Sequence, residues 1–517
     1  MVSLIRNFSD DFAQIVKRAP DSPAFVITAD VNVRTISYGA LAEYIDCAGS
    51  LLLSSYKLKP GDVLMALMPN AAEALILFLS CLKNGIGYAP LPCTATIHEI
   101  KNWKKLVNPA ACILGQAIQE QKKQALLSLD TPIYEIQCDS EFKWLEGVTG
   151  VPFSAPPVSA SIFLSTSGTT GEPKAMVIDA NTLWSSGAAF TDYMGLRDKP
   201  SRYWNYLPMS YLGGLFNLCL IPLANGSSIV IDEPFSGKTF LQFWPMLERH
   251  DIKAVWFVPS IIRGLLKIAE RRPPESTKAQ GKKIEMAFLG TAPIDLQTKK
   301  RFESAFGVQM FENFALSETT FFSTETPANL AQREESSVGS IIPYTDVKLV
   351  PIEGHEIASD GPIGEIHVRS PFLFKGYVDQ TGVVKSPVDK DGYMATGDLG
   401  RLTKDNILVI AGRERDIIKK GGYFVGLREI EILAESHPAV QEAAAARIKH
   451  DFYGESYDLY VILKDRETPE TVNTLQKFIH ENLVQYKWPE TILLSSDFPR
   501  TASGKVRRHL LSKPNAP

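Results

Sequence analysis

The chain has 517 residues, 45% of them hydrophobic and 22% charged, with a net charge of -4. That length exceeds one ordinary core, so two to four structural units of a water-soluble globular protein are expected. The slight acidity argues against a nucleic-acid partner, and six scattered cysteines (Cys47, Cys81, Cys93, Cys112, Cys138, Cys219) with no C-x-x-C pair suggest neither a disulfide framework nor a zinc site.

Residues 1–13 carry Asp10 and Asp11 and no long apolar run, so no secretory signal is expected and the cytoplasm is the expected location. Residues 7–18 have the spacing of an amphipathic helix with Phe12, Ile15 and Val16 inward. Short strands at 24–27 and 35–38 flank a turn, and a helix over about residues 39–54 follows. After the turn Lys59-Pro60-Gly61-Asp62 come a strand at 63–68, a helix at 72–84 and a strand at 87–91. Such alternation predicts a parallel α/β layer. Residues 139–160 are polar and proline-rich, a connector.

The connector leads to Ser165-Thr166-Ser167-Gly168-Thr169-Thr170-Gly171-Glu172-Pro173-Lys174, between the apolar runs 161–164 and 175–178. This pattern predicts two strands joined by a polar hairpin. Its five hydroxyls, two glycines and lysine are what a polyphosphate asks of a loop: donors at close approach and a cation. It is not the G-x-x-x-x-G-K-[ST] loop, because no helix signal follows the lysine.

Residues 203–231 contain no charge, but Asn205, Pro208, Gly213, Gly214, Asn217, Pro222, Asn225 and Gly226 interrupt them. A buried helix, a turn and a buried strand are expected there, not a membrane span. A strand at 254–259 and a helix at 261–269 precede a charged surface loop at 271–283. Residues 287–293 read as a strand and turn at a sheet's C-terminal edge, where open α/β sheets take ligands. A strand-rich section opens at Gly364 and leads to Thr396-Gly397-Asp398-Leu399, expected to place a short acid just after a strand. Such an acid suits a diol and is equally at home in an Asx turn. The last hundred residues or so read as a compact α+β unit, its first helix opening at Arg428-Glu429-Ile430-Glu431.

Taken together, these stretches resemble the adenylate-forming superfamily of acyl- and aryl-CoA synthetases, peptide-synthetase adenylation domains and luciferases. The likeness spans roughly residues 20–510 and includes Tyr38, Pro60-Gly61-Asp62-Val63, Pro69-Asn70 and Tyr88-Ala89-Pro90-Leu91. It implies an α/β fold with a large N-terminal domain (1–414) of parallel and mixed sheets sandwiched with helices, plus a β-barrel-like section. A small mobile α+β C-terminal domain (415–517) would follow.

The resemblance also implies roles. Thr166, Ser167, Gly168, Thr169, Thr170, Gly171 and Lys174 would hold the phosphates of ATP. Gly290, Thr291, Ala292 and Pro293 would line the adenine side. In Asn313-Phe314-Ala315-Leu316-Ser317-Glu318, Phe314 would stack on adenine beside Asn313, and Ser317 would contact phosphate. Glu318, with Thr169, would hold Mg²⁺. Ala315 stands where relatives have glycine, and Phe314 lacks the usual tyrosine hydroxyl. Asp398 would hold ribose and Arg413 ribose and phosphate. Arg415 occupies the hinge position, where aspartate or lysine is commoner. Lys419, Gly421 and Gly422 would line the thiol tunnel, and Lys505 would be the adenylation lysine. Tyr211, Gly213 and Gly214, with Ala315, would line the acid's pocket. No acidic residue lies between Arg202 and Asp232, where an α-amine would need one, so a fatty or aromatic acid is favoured over an amino acid.

A carboxylate acylates poorly because its leaving group would be oxide. The implied chemistry joins it to the α-phosphate of ATP, releasing pyrophosphate, and then passes the acyl group to CoA. Charge gathers on phosphate oxygens, so clamps matter more than acid–base groups. Three alternatives remain open: transfer to a separate carrier protein's pantetheine, transfer to an amine, and a catalytically silent nucleotide-binding relative.

Overall fold

The computed structural model describes residues 4–28, 33–115, 118, 122–123, 126, 131–151, 158–166, 174–270, 274–292, 294–351, 357–358, 361–379, 381–413, 416–420, 423–464, 469–500 and 506–511. Helix Phe8–Arg18 buries Phe8, Phe12 and Ile15, and the Asn7 side chain caps it by accepting from the Asp10 N–H; Val16 is half-buried. Helix Tyr38–Ser50, capped by Ser37, runs on into a π-helical turn at Leu51–Ser55.

The alternating apolar segments build the expected parallel layer. Strands Val63–Leu67, Gly87–Leu91, Ala111–Gly115 and Ile133–Ile136 are parallel, and Ser161–Thr166 joins them beside Gly87–Leu91. The chain then folds back, so that Lys174–Asp179, Gly376–Val378 and Val384–Lys385 complete in antiparallel fashion a sheet of eight strands among the described residues. Helix Ala72–Lys83 is buried from Ala72 to Leu82, as expected of a helix that is apolar all round and enclosed by other elements.

A second sheet has thirteen strands among the described residues. Its parallel half contains Pro23–Ile27, Ser228–Ile231, Arg202–Asn205, Ala254–Phe257, Met286–Leu289 and Met310–Leu316. Its antiparallel half runs through Thr320–Thr324, Ser337–Ile341, Ile407–Arg413, Met394–Leu402, Gly364–Arg369 and Asp346–Pro351. This arm, over a small core of Phe322, Val338, Ile366, Val368 and Leu408, is the section for which a barrel-like arrangement is expected.

The uncharged stretch divides as its polar breakers suggest. It gives strand Arg202–Asn205, π-helix Gly213–Leu220, helix Ile221–Ala224 and strand Ser228–Ile231. Among the described residues no helix is long and apolar enough to cross a membrane. One expectation is corrected: helix Pro274–Gly281 occupies the region read as a surface loop. Proline is at home in a helix's first turn, where its missing N–H has no intrahelical partner to lose. At the other end, a Cβ on Gly281 would stand 2.0 Å from the Phe306 carbonyl oxygen. Only glycine lets the helix end pass that close.

Among the described residues the C-terminal part forms a five-stranded sheet from Tyr423–Gly426, Ile417–Lys420, Gly454–Leu463, Val440–His450 and Ile492–Leu494. Ile418, Val425, Ile430, Leu459, Leu475 and Ile479 belong to its separate core. Where this part meets the rest, Arg263 on helix Pro259–Ala269 lies 3.7 Å from Glu435 on helix Leu427–Ser436. Glu435 also pairs with Arg428 at 3.5 Å, and Arg428 feels the charge of Asp295 across the seam.

Candidate functional site

The hairpin expected to cradle phosphate has the predicted frame. Strands Ser161–Thr166 and Lys174–Asp179 pair antiparallel from Ser161↔Asp179 to Thr166↔Lys174. The tip, with Ser167, Gly168, Thr169, Thr170 and Gly171, lies outside the described residues. The Lys174 ammonium stands over the Tyr377 ring, 5.7 Å from its centroid. Tyr377 is carried by strand Gly376–Val378, which pairs with Lys174–Asp179 through Tyr377↔Met176.

The Tyr377 phenol donates a hydrogen bond to Glu318 Oε1, and the Phe374 N–H donates to the Glu318 carbonyl at 2.9 Å. Burial and the neighbouring Glu318 carboxylate push the phenol above its ordinary range, so it remains an O–H donor. Glu318 lies in the turn between strands Met310–Leu316 and Thr320–Thr324. Beside it, Ser317 hydrogen-bonds the Tyr211 phenol, which burial and then the Glu318 charge also push up. Tyr377 thus links Lys174 to Glu318, and Ser317, the residue before Glu318, reaches Tyr211. The pair Gly376-Tyr377 stands out in the strand-rich section of the sequence, but nothing there gives Tyr377 a role; its glycine has φ +143°.

The same strand, Met310–Leu316, carries a second group. Asn313 is buried, and its Nδ2 donates to Thr324 Oγ1 at 2.5 Å. Gly290, at the end of strand Met286–Leu289, lies against it: a Cβ there would stand 3.2 Å from the Asn313 carbonyl oxygen. Thr291 follows with φ +75°, and its buried hydroxyl has no hydrogen-bond partner among the described residues. A β-branched residue in that region is strained, and such strain gathers at functional sites. Ala292 is half-buried, and Pro293 lies outside the described residues. Phe314 meets Phe322 edge-on at 5.1 Å, and the register shifts between Phe314 and Ala315, leaving Ala315 exposed.

Asp398 and Arg413 face each other across neighbouring strands, with Arg413 Nε 2.8 Å from Asp398 Oδ1. Asp398 does not follow a strand, as expected, but sits inside Met394–Leu402. Gly397 at φ +70° and register shifts on both sides make a bulge that interrupts the strand's pattern in sequence. Glu365 and His367 brace it. The Gly397 N–H donates to Glu365 Oε1 at 3.2 Å, and His367 Nε2 lies 2.9 Å from Glu365 Oε2. Neither residue stands out in sequence, because both lie in an ordinary alternating strand.

Gly213 and Gly214 are buried at the start of the π-helix. A Cβ on Gly214 would stand 2.5 Å from the Pro208 carbonyl oxygen, and Asn205 Nδ2 donates to the carbonyls of Gly214 and Leu218 at 2.9 and 3.1 Å. Packing alone accounts for glycine at 214. In the C-terminal part, Lys419 lies in strand Ile417–Lys420 opposite Phe424. Arg415, Gly421, Gly422 and Lys505 lie outside the described residues.

One carboxylate oxygen of Glu318 is held by a phenol, and among the described residues the other takes no hydrogen bond. That donor set fits Mg²⁺, which prefers one or two carboxylates with phosphate oxygens and water to a full protein cage.

The chain is similar to known proteins along most of its length. A model of the AMP-binding enzyme family matches residues 12–378, and one of the AMP-binding enzyme C-terminal domain matches residues 429–505. An oxalate–CoA ligase of Arabidopsis thaliana is 26% identical, covering 97% of this chain and 98% of its own. A sulfoacetate–CoA ligase of Cupriavidus necator is also 26% identical, covering 95% of this chain and 94% of its own. The ATP-bound structure of MatB from Rhodopseudomonas palustris superposes with a TM-score of 0.84 at 23% identity, covering 97% of this chain and 98% of that one. With the first family model spanning most of its length, the chain belongs to the AMP-binding enzymes, within the adenylate-forming superfamily.

Proposed function

We propose that the protein is an ATP-dependent acid–thiol ligase that converts a carboxylic acid to its CoA thioester through an acyl-adenylate. The observation that carries this reading is the Tyr377 ring, which lies under Lys174 and hydrogen-bonds Glu318, whose neighbour Ser317 bonds Tyr211. CoA ligases similar along nearly the whole chain support it.

In the first step a carboxylate oxygen attacks the α-phosphorus of ATP. The bond to the β-phosphate bridging oxygen breaks, and pyrophosphate leaves. The hairpin donors, with Lys174, take up pyrophosphate charge, Asp398 and Arg413 hold ribose, and Gly290 to Pro293 with Phe314 flank adenine. Lys505 binds the reacting carboxylate and the α-phosphate. Glu318 and Thr169 are the residues for Mg²⁺, which when bound offsets the phosphates' negative charge. In the second step the thiol sulfur attacks the acyl carbonyl, AMP leaves, and the thiol proton passes to solvent. Residues 415–517 form the unit that moves about Arg415 between the steps, exchanging Lys505 for the face with Lys419, Gly421 and Gly422.

The acid is fatty or aromatic in this reading. Leu207, Met209, Leu212 and Phe216, close to Tyr211 in the chain, are buried, and no acidic residue lies between Arg202 and Asp232 to meet an ammonium group. Cytoplasmic CoA is the acyl acceptor.

The test is ATP–pyrophosphate exchange across fatty, aryl, amino and small dicarboxylic acids, with CoA then added to the acids that respond. Exchange with an apolar acid and CoA-dependent AMP release are expected. Exchange that CoA leaves without turnover would transfer the proposal to a carrier or amine acceptor, and exchange only with dicarboxylates would overturn the apolar pocket.

A further inference from the structure

We propose that Tyr377 is a positioning residue for the reaction: its hydroxyl sets the Glu318 carboxylate, and its ring couples that carboxylate to the base of the phosphate hairpin. The inference rests on the reading of the site given above. Four observations lead to it.

Glu318 stands in a turn, where a side chain lacks the support of a ladder. It is instead held from outside at two points, the carboxylate by the Tyr377 phenol and the backbone carbonyl by the Phe374 N–H at 2.9 Å. Both holds come from one short segment. That segment is itself fixed, because strand Gly376–Val378 lies between Lys174–Asp179 and Val384–Lys385. Gly376 is wedged so tightly that a Cβ would stand 2.3 Å from the Lys385 carbonyl oxygen. Finally, the ring that orients Glu318 lies beneath the Lys174 ammonium, the first described residue after the hairpin tip.

Tyr377 therefore joins the two large sheets at the site. Its backbone belongs to the eight-stranded sheet, and its hydroxyl ends on the turn of the thirteen-stranded one. A phenol donating to a carboxylate keeps it aimed, which is what a hard cation asks of an oxygen ligand. A purely structural role would need only the ring, which packs edge-on against Phe374 at 4.9 Å. Phenylalanine would serve that role equally.

The distinguishing experiment uses the full-length protein and the variants Tyr377→Phe, Glu318→Gln and the double variant. Calorimetry follows binding of a non-hydrolysable ATP analogue as Mg²⁺ is titrated, with the thermal midpoint and the KM values for ATP and acid measured alongside. Losing an outer hydrogen-bond partner of a metal ligand costs about tenfold or more in metal affinity. Y377F is therefore expected to raise the half-saturating Mg²⁺ about tenfold, and the KM for ATP with it. Its Mg²⁺-free analogue affinity and KM for the acid should match the parent. E318Q should lose most of the Mg²⁺ dependence, and adding Y377F to it should change nothing further. An unaltered Mg²⁺ titration in Y377F, or additive effects in the double variant, would overturn the proposal while leaving the ligase reading intact. A parent protein whose nucleotide binding ignores Mg²⁺ would overturn both. Should Y377F fold poorly, Tyr377→His, which keeps a ring and a donor, must retain more Mg²⁺ dependence than Tyr377→Leu; equal loss in the two would overturn the proposal.

Discussion

Asp398 is only 3% exposed, and its Arg413 partner lies on the adjacent strand. Replacing it with asparagine keeps the shape and removes the charge that draws the arginine and, in the proposed function, a ribose diol. D398N is expected to raise the KM for ATP about tenfold or more, the weight of a charge-assisted hydrogen bond, with the KM for the acid unmoved; steady-state kinetics reads both. Lys505→Ala should lower pyrophosphate exchange about 100-fold or more, as loss of one electrostatic donor does elsewhere. Its pre-formed acyl-adenylate should still transfer to CoA. These residues are legible in the sequence because each sits in a short motif of unusual composition. Tyr377, Glu365 and His367 are not, because their work is done across strands that sequence spacing does not bring together. Asp398 is expected just after a strand and lies inside one, since a bulge does not alternate as a strand should.

Below the strand that carries Asn313, Phe314 and Ala315 lies a buried ionic network. Lys299 on helix Leu296–Phe306 bonds Glu312 at 2.6 Å and Glu325 at 2.8 Å, and Arg333 pairs with Glu325 and Glu303, each at 2.8 Å. Glu312 and Glu325 flank the hairpin whose turn holds Glu318, so the network fixes the height of that turn. Burial, with Glu325 nearby, pushes Glu312 above the usual carboxylate range despite Lys299. Lys299→Met leaves two carboxylates buried with too little positive charge and is expected to cost about 3–5 kcal/mol. It should also remove the chief force lowering the Glu312 pKa. The native state then holds a proton that the unfolded chain has released, so stability falls as pH rises from the unfolded glutamate range through the folded pKa. Urea unfolding of K299M should therefore show more stability at pH 5 than at pH 8, by a wider margin than the parent. Sequence reading singles out the motif 313–318 here, but not the strands Met310–Leu316 and Thr320–Thr324, nor the network, whose members are separated by a helix and a hairpin. Helix Pro274–Gly281 escaped for a related reason: its charge and prolines suit a loop, and its fit against Phe306 is a tertiary fact.

Across the whole molecule, the C-terminal part meets the rest through charge as well as packing. Arg263 lies in the large part, and Glu435 and Arg428 lie on the first helix beyond Tyr423–Gly426. Arg263→Ala removes the cross-seam partner and leaves each core whole. Hydrogen exchange should rise several-fold in helix Leu427–Ser436, while strands Val440–His450 and Gly454–Leu463 stay protected. Uniform change across the C-terminal sheet would instead mean that its own fold had been disturbed. Alternation predicts one parallel layer, and the family resemblance implies the sandwiched sheets of the large part; how the sheets meet is not readable from either. That meeting has a consequence for the protein's lifetime. If nucleotide binds where the sheets converge, it fastens them together, and at one hundred times its dissociation constant it adds about 2.7 kcal/mol to the bound form. A cell short of ATP would then hold a population of this enzyme that opens more often and is degraded sooner. Digestion by a nonspecific protease should slow steeply as nucleotide is added, so the abundance of the enzyme follows the energy supply it draws on.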